Sequence, residues 1–246
     1  GEPACNRDPD ETVAINYLAS LNLARAAAYY GVERFIFTST DSCYGAQENV
    51  FLTEDSPLQP ISLYAELKAE MENEILALGR LSAGGQGFHP TILRLATLYG
   101  LSPRMRFDLV INLLTREAVV GDGAKIFSGE QWRPLLHVSD AARAYALALA
   151  APLEKVSGRV FNVGANHQNV QFKDLAKILL SVIPEAKIET VPQPPDLRDY
   201  HVCFDRISSE LGFKPEVEIP DGIEEIRQAL LSGALGDPYN AIYRNA

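Results

Sequence analysis

The chain has 246 residues, 32 of them acidic and 22 basic, for a net charge of −10. That balance excludes a general nucleic-acid binder, which needs a basic footprint, and leaves room only for a local basic pocket. No apolar run approaches the ~18 residues of a membrane span, and three widely separated cysteines, Cys5, Cys43 and Cys203, exclude a disulfide framework or a C-x-x-C zinc site and fit a reducing, cytoplasmic setting.

The segment from Asp8 to Gly31 predicts a helix. Asp8 can cap it, Pro9 suits the first turn and Glu11 stands three after the cap. Apolar residues recur at Val13, Leu18, Leu21, Ala24 and Ala28, and Gly31 is a stop signal. Arg34 to Ser39 is a short run of β-formers, expected as a buried parallel strand. Leu63 to Leu81 predicts a helix with Tyr64, Leu67, Met71, Ile75 and Leu78 on one stripe. A glycine-rich turn over 82–90 leads to a second strand, Thr91 to Ala96. Further helices are expected over Phe107–Val119, Ser139–Ala151, Gln171–Ile183 and Asp221–Ser232, with strands over Arg159–Val163 and Lys187–Val191. This alternation implies βαβ units, a parallel sheet and an α/β fold class. After Tyr99 the loops lengthen and prolines increase, which suggests a smaller mixed lobe interleaved with the sheet.

The chemistry centres on Tyr64 and Lys68. At i and i+4 on a helix, a phenol and an ammonium share one face. Upstream, the first strand ends in Thr38-Ser39-Thr40, and hydroxyls at the carboxyl end of a parallel strand lie where α/β folds bind ligands. Taking a hydride from a carbinol also requires removing the hydroxyl proton. A free tyrosine, with a pKa near ~10, is a poor base at neutral pH, and a neighbouring cation favours the phenolate. Lys68 is that cation, and Thr40 can hydrogen-bond the reacting oxygen.

Phe37-Thr38-Ser39-Thr40-Asp41-Ser42-Cys43-Tyr44-Gly45, followed by Tyr64-x-x-x-Lys68, resembles the active-site block of the extended short-chain dehydrogenase/reductases, the NAD-dependent epimerase/dehydratase family. Leu93-Arg94-Leu95-Ala96-Thr97-Leu98-Tyr99-Gly100 is similar to its L-R-x-x-N-x-Y-G strand. Gln131-Trp132-Arg133-Pro134-Leu135-Leu136-His137-Val138-Ser139-Asp140 is similar to its R-D-x-x-H-V-x-D segment, and Phe161-Asn162-Val163-Gly164 to its F-N-V/I-G. The resemblance implies a Rossmann-like doubly wound parallel sheet. Residues 1–100 would form the C-terminal part of an NAD-binding Rossmann domain, and residues 101–246 mainly a substrate-binding lobe.

The resemblance also implies roles. Thr40 and Tyr64 become the hydroxyl pair at the sugar, and Lys68 the anchor of NAD, with NADP as the other candidate. Thr38, Ser39 and the backbone at Ala96 lie on the cofactor side. Thr97 stands where the family has an asparagine that touches the sugar nucleotide. Leu109, Lys125 and Phe127 line the nucleotide, Arg133 binds the diphosphate with its forked donors, and Asp196, Arg198 and Tyr200 belong to the last nucleotide-binding loop. His137 is expected to be structural. The partner is a nucleotide-diphosphate sugar, and the helices carrying Asn16 and Tyr64 are the family's homodimer elements.

Two departures matter. The sequence lacks the G-x-x-G-x-x-G turn that meets the cofactor pyrophosphate; Gly84-Gly85-Gln86-Gly87 precedes a strand and reads as a loop. Roughly the first third of the family fold is therefore expected to be absent from this sequence, and the isolated chain to bind NAD(P) weakly or not at all. The family's 4,6-dehydratases also carry Asp-Glu directly after the catalytic threonine, as acid and base, whereas here Asp41 is followed by Ser42. The expected activity is therefore epimerisation of a nucleotide sugar at C4. A 4,6-dehydratase and a non-catalytic scaffold are the alternatives.

Overall fold

The computed structural model describes residues 2–47, 50–82, 87–127, 129–191 and 199–244. Residues 83–86 of the glycine-rich turn, and Asp196 and Arg198, lie outside the described residues. After a short α1 (Glu2–Cys5), the long first helix runs as α2 (Pro9–Val13), a π-type turn (Ala14–Ala19) and α3 (Ser20–Tyr29). Asp8 caps it as the sequence suggests, its carboxylate accepting the Glu11 N–H at 2.9 Å. The wide turn shifts the phase of the apolar stripe. Leu21, Ala24 and Ala28 are buried while Leu18 is 51% exposed.

The chain continues through β1 (Arg34–Thr40), β2 (Phe51–Leu52), α4 (Leu63–Ser82), β3 (His89–Leu95) and β4 (Thr97–Tyr99). There follow α5 (Val110–Val119), β5 (Ala124–Phe127), β6 (Trp132–His137), α6 (Val138–Ala150), α7 (Leu153–Val156) and β7 (Arg159–Val163). The last part holds β8 (Asn169–Gln171), α8 (Phe172–Val182), β9 (Ile188–Val191), β10 (His201–Val202), α9 (Asp205–Leu211) and α10 (Ile219–Leu231). Among the described residues no helix is long and apolar enough to cross a membrane.

The central sheet is parallel, in the order β1-β3-β7. Helices cover both of its faces. On one, Leu21 and Ala24 of α3 and Met71 and Ile75 of α4 pack on Phe37 and Ile92. On the other, Ala141 and Ala144 of α6 pack near Leu93, Phe161 and Val163. Burial on both faces is why β3 reads as an apolar run rather than an alternation. A second core joins α5, α8 and α10 through Ile111, Leu114, Leu175, Leu179 and Ile223. Around it lie the mixed sheet β4-β6-β8 and the two-stranded β5-β9. β7, late in the chain, returns to the central sheet, so the two halves are interleaved.

Candidate active site

The carboxyl end of β1, the break between β3 and β4, and the start of α5 enclose a cavity of about 410 Å³. Its wall brings together Thr38, Ser39, Thr40, Tyr64, Ala96 and Thr97 with Leu109, Arg133 and Tyr200. These are most of the residues singled out in the sequence, from six separate stretches of chain.

Thr40 ends β1 in an extended conformation and caps a 3-10 turn, Asp41–Tyr44, by accepting the Ser42 N–H at 3.2 Å. A hydroxyl that accepts from backbone keeps its own proton to donate, so the cap orients Thr40 as a donor. Ser42 also lines the cavity, its Oγ 3.4 Å from the Tyr200 hydroxyl. Tyr64 stands in the first turn of α4, and Lys68 follows one turn on, with Nζ 5.9 Å from the Tyr64 ring centroid and 4.6 Å from that of Phe37. Lys68 Nζ donates to the Thr38 carbonyl at 2.9 Å, which ties α4 to the end of β1. Burial pushes its pKa below the ordinary lysine value. Lys68 is not part of the cavity wall.

The remaining positions divide. The Thr38 hydroxyl pairs with the Tyr145 hydroxyl, and Ser39 donates to Glu72, so Ser39 binds the core. Ala96 is 3% exposed, and its N–H bonds the Val163 carbonyl at 3.1 Å, fixing the backbone between β3 and β4. Arg133 is 4% exposed; its guanidinium lies 5.5 Å from the Phe172 ring and 5.0 Å from the Tyr200 ring, and Nη1 donates to the Trp132 carbonyl at 2.7 Å. Two rings and a carbonyl thus hold its planar fork at the cavity wall. Lys125 and Phe127 are not brought to the cavity. Alternation along β5 buries Ala124 and Ile126 and turns Lys125 and Phe127 outward, Lys125 toward Glu189 at 3.5 Å.

Sequence reasoning missed one flank. Ser102, Arg104, Arg106, Asp108 and Asn112 also line the cavity. Arg106 chelates Asp108 at 3.0 and 2.7 Å. Asn112 secures the segment, donating to the Arg106 carbonyl at 2.9 Å and accepting the Gly100 N–H at 3.0 Å. Gly100 has φ +105°, and a Cβ there would lie 2.1 Å from His137 Nε2, so only glycine fits this turn. The cluster Arg104-x-Arg106-x-Asp108 between a strand end and a helix start was the available signal.

Beneath the cavity floor lies a buried polar cluster. Glu72 of α4 and Arg94 of β3 form a buried ion pair, with Arg94 Nη2 2.6 Å from Glu72 Oε2 and Nε 3.0 Å from Oε1. Arg94 Nη1 donates to the Tyr44 hydroxyl at 2.9 Å, and Tyr44 donates to Asn162 Oδ1 at 2.7 Å. Asp41 is 1% exposed in this layer, and among the described residues neither of its carboxyl oxygens has a hydrogen-bond partner. Burial raises its pKa well above the ordinary range; Arg94 opposes that, and Glu54 and Glu72 add to it. Asp41 is absent from the cavity wall, while its neighbours Thr40 and Ser42 form part of it.

A family model described as the NAD dependent epimerase/dehydratase family matches residues 1–164. A dTDP-glucose 4,6-dehydratase of Actinoplanes sp. is 32% identical over 217 residues, covering 87% of this chain; the chain spans 65% of that relative's length. A UDP-glucose 4-epimerase of Thermotoga maritima, solved with UDP-glucose, is 28% identical with a TM-score of 0.81, covering 94% of this chain and 74% of its own. MoeE5, solved with UDP-glucose and NAD, is 26% identical with a TM-score of 0.82, covering 95% and 76%. The strand-end hydroxyls, the Tyr64–Lys68 helix and the family match agree: the chain belongs to the NAD-dependent epimerase/dehydratase family and has its Rossmann-like α/β fold.

Proposed function

We propose that this chain carries the catalytic and sugar-nucleotide-binding side of an NAD-dependent nucleotide-sugar 4-epimerase. The observation that carries the reading is the division at the end of β1: Thr40 and Ser42 line the cavity with Tyr64, while Asp41 is sealed beneath it. Epimerisation needs a proton taken from the C4 hydroxyl and later returned, together with a reversible hydride transfer. Dehydration needs in addition an acid at the leaving hydroxyl and a base at the adjacent carbon. Asp41 does not reach the cavity, and a serine at position 42 is no base at neutral pH.

The donor set fits the cofactor. Lys68 directs one N–H to the Thr38 carbonyl, and an ammonium has three donors, so it retains donors for ribose hydroxyls. NAD, when bound, supplies the reversible hydride acceptor. Tyr64 takes the proton from the sugar hydroxyl, and the Lys68 cation beside it favours the phenolate. Thr40 donates to the same oxygen and fixes its position. Arg133 receives the diphosphate, and Thr97, Leu109 and Tyr200 wall the sugar nucleotide. Asp196 and Arg198 are assigned to the nucleotide by sequence. Ile15, Leu18 and Leu23 are each more than half exposed on the first helix, the apolar material for a homodimer through that helix. A cytoplasmic enzyme accords with three buried free cysteines.

The test is to incubate the full-length protein and NAD with UDP-, dTDP-, GDP- and CDP-glucose and analyse the sugar products. A C4 epimer from one of these donors supports the reading. A 4-keto-6-deoxy product establishes the dehydratase instead.

A further inference from the structure

β6 and the segment 199–202 form a wall between two cavities. Successive side chains of an extended chain point to opposite faces. On one face Arg133 meets Tyr200 and both line the active-site cavity. On the other, Trp132 lies flat on His201, ring centroids 4.6 Å apart and planes within 1°. Phe51 meets the same imidazole edge-on at 4.5 Å. The Trp132 N–H fastens the wall by donating to Asp199 Oδ1 at 2.8 Å. These rings floor a second cavity of about 560 Å³, rimmed by Gln47, Glu130, Gln171 and Asp199. Its size falls within the ~300–1,000 Å³ of small-molecule sites. Among the described residues it shares no lining residue with the active-site cavity.

The polar groups at the rim define the ligand. Gln47 directs its amide N–H₂ to the carbonyls of Tyr44 and Pro57 at 2.8 and 3.0 Å. Gln171 directs its own to the Glu130 carbonyl at 2.6 Å. Gln47 is left with only its acceptor oxygen, and Gln171 keeps its oxygen and one N–H. The carboxylates of Glu130 and Asp199 are acceptors as well, and Lys173, the cation beside them, is paired with Glu130 at 2.7 Å. Among the described residues, the Trp132 indole N–H and both His201 ring nitrogens make no hydrogen bond. An acceptor-rich, acidic rim repels phosphate and carboxylate ligands. It suits a neutral molecule with an apolar face to lie on a ring and a perimeter of hydroxyl donors. A pyranose has both: its C–H face stacks on an aromatic plane, and its hydroxyls donate to amide and carboxylate oxygens.

We infer that the cavity floored by Trp132 and His201 binds a neutral saccharide, at a site separate from the nucleotide-sugar cavity. The inference does not depend on which reaction that cavity catalyses. Trp132 is the single tryptophan of the chain, so its emission reports on the floor of this cavity. The experiment titrates the 246-residue protein with methyl β-D-glucopyranoside, with and without saturating UDP, and repeats the titration with tetramethylammonium. The expected result is a saturable change in emission with a millimolar dissociation constant, unaltered by UDP. Glu130→Gln should weaken it at least threefold, and Trp132→Ala should abolish binding followed by calorimetry. If Trp132→Ala fails to fold, Glu130→Gln, which alters an exposed side chain, still decides. No saturable change, displacement by UDP, unchanged affinity in Glu130→Gln, or a response to the cation but not the sugar would each overturn the proposal.

Discussion

The two sides of the turn after β1 make opposite environments from adjacent residues. Above it, Thr40 and Ser42 face an open cavity with Tyr64 and three arginines, Arg104, Arg106 and Arg133. Below it, Asp41 shares a buried layer with Glu72, Arg94 and Tyr44. The upper side needs donors and acceptors left available for a ligand. The lower side has Arg94 bonded to Glu72 and Tyr44, and Glu72 to Ser39, which pins α4, β1 and β3 to one another. The difference teaches that the position of Tyr64 relative to Thr40 is set from beneath, by the buried Glu72–Arg94 pair and the groups bonded to it.

That contrast can be broken at four points. Tyr64→Phe removes the proposed proton acceptor from the upper side, and turnover of the full-length protein should fall by about 10²–10⁴-fold with the fold intact by circular dichroism. Glu72→Leu on the lower side leaves Arg94 buried without its partner, and urea denaturation should show a loss of about 3–5 kcal/mol. Asp41→Asn sharpens the comparison through pH. Burial raises the Asp41 pKa in the folded protein, so the stability it contributes is complete below its unfolded value of 3.8 and is lost as pH rises toward the folded value. Asparagine has no such loss. Asp41→Asn should therefore be near neutral in acid and stabilising at neutral pH, because asparagine cannot ionise in the buried site. Urea midpoints at about pH 4 and about pH 8 check this, and an equal effect at both would contradict it. The smallest effect belongs to Lys125→Ala on the outer side of β5, where stability should change by less than about 0.5 kcal/mol and KM for the sugar nucleotide should stay unchanged.

The central sheet and its site were legible because periodicity and motif coincide there. β1, β3, β7, α4 and α6 fall where apolar runs and caps place them, and Thr40, Tyr64, Ala96 and Arg133 converge as the resemblance implies. Apart from β9, which lies within the strand expected over Lys187–Val191, the shortest strands were not legible. β6 contains Pro134, which counts against a strand in a sequence reading, and β2, β5, β8 and β10 span only two to four residues each, stabilised by neighbours distant in sequence. The π-type turn that exposes Leu18 leaves no mark in an apolar stripe. The bond from Ser39 to Glu72 was not legible either, because Glu72 lies two helical turns beyond Tyr64 and on another element. Lys125 and Phe127 look like a nucleotide wall in sequence, and β5 turns them outward.

The central claim is that the hydroxyls at the end of β1 act on the sugar while Asp41 does not. The direct measurement is proton and deuterium NMR of the reaction run in D₂O by the full-length protein, with NAD and the accepted nucleotide hexose. The account predicts conversion to the C4 epimer with the C6 hydroxyl retained and no solvent deuterium on any carbon. Loss of the C6 hydroxyl with deuterium at C5 would contradict it.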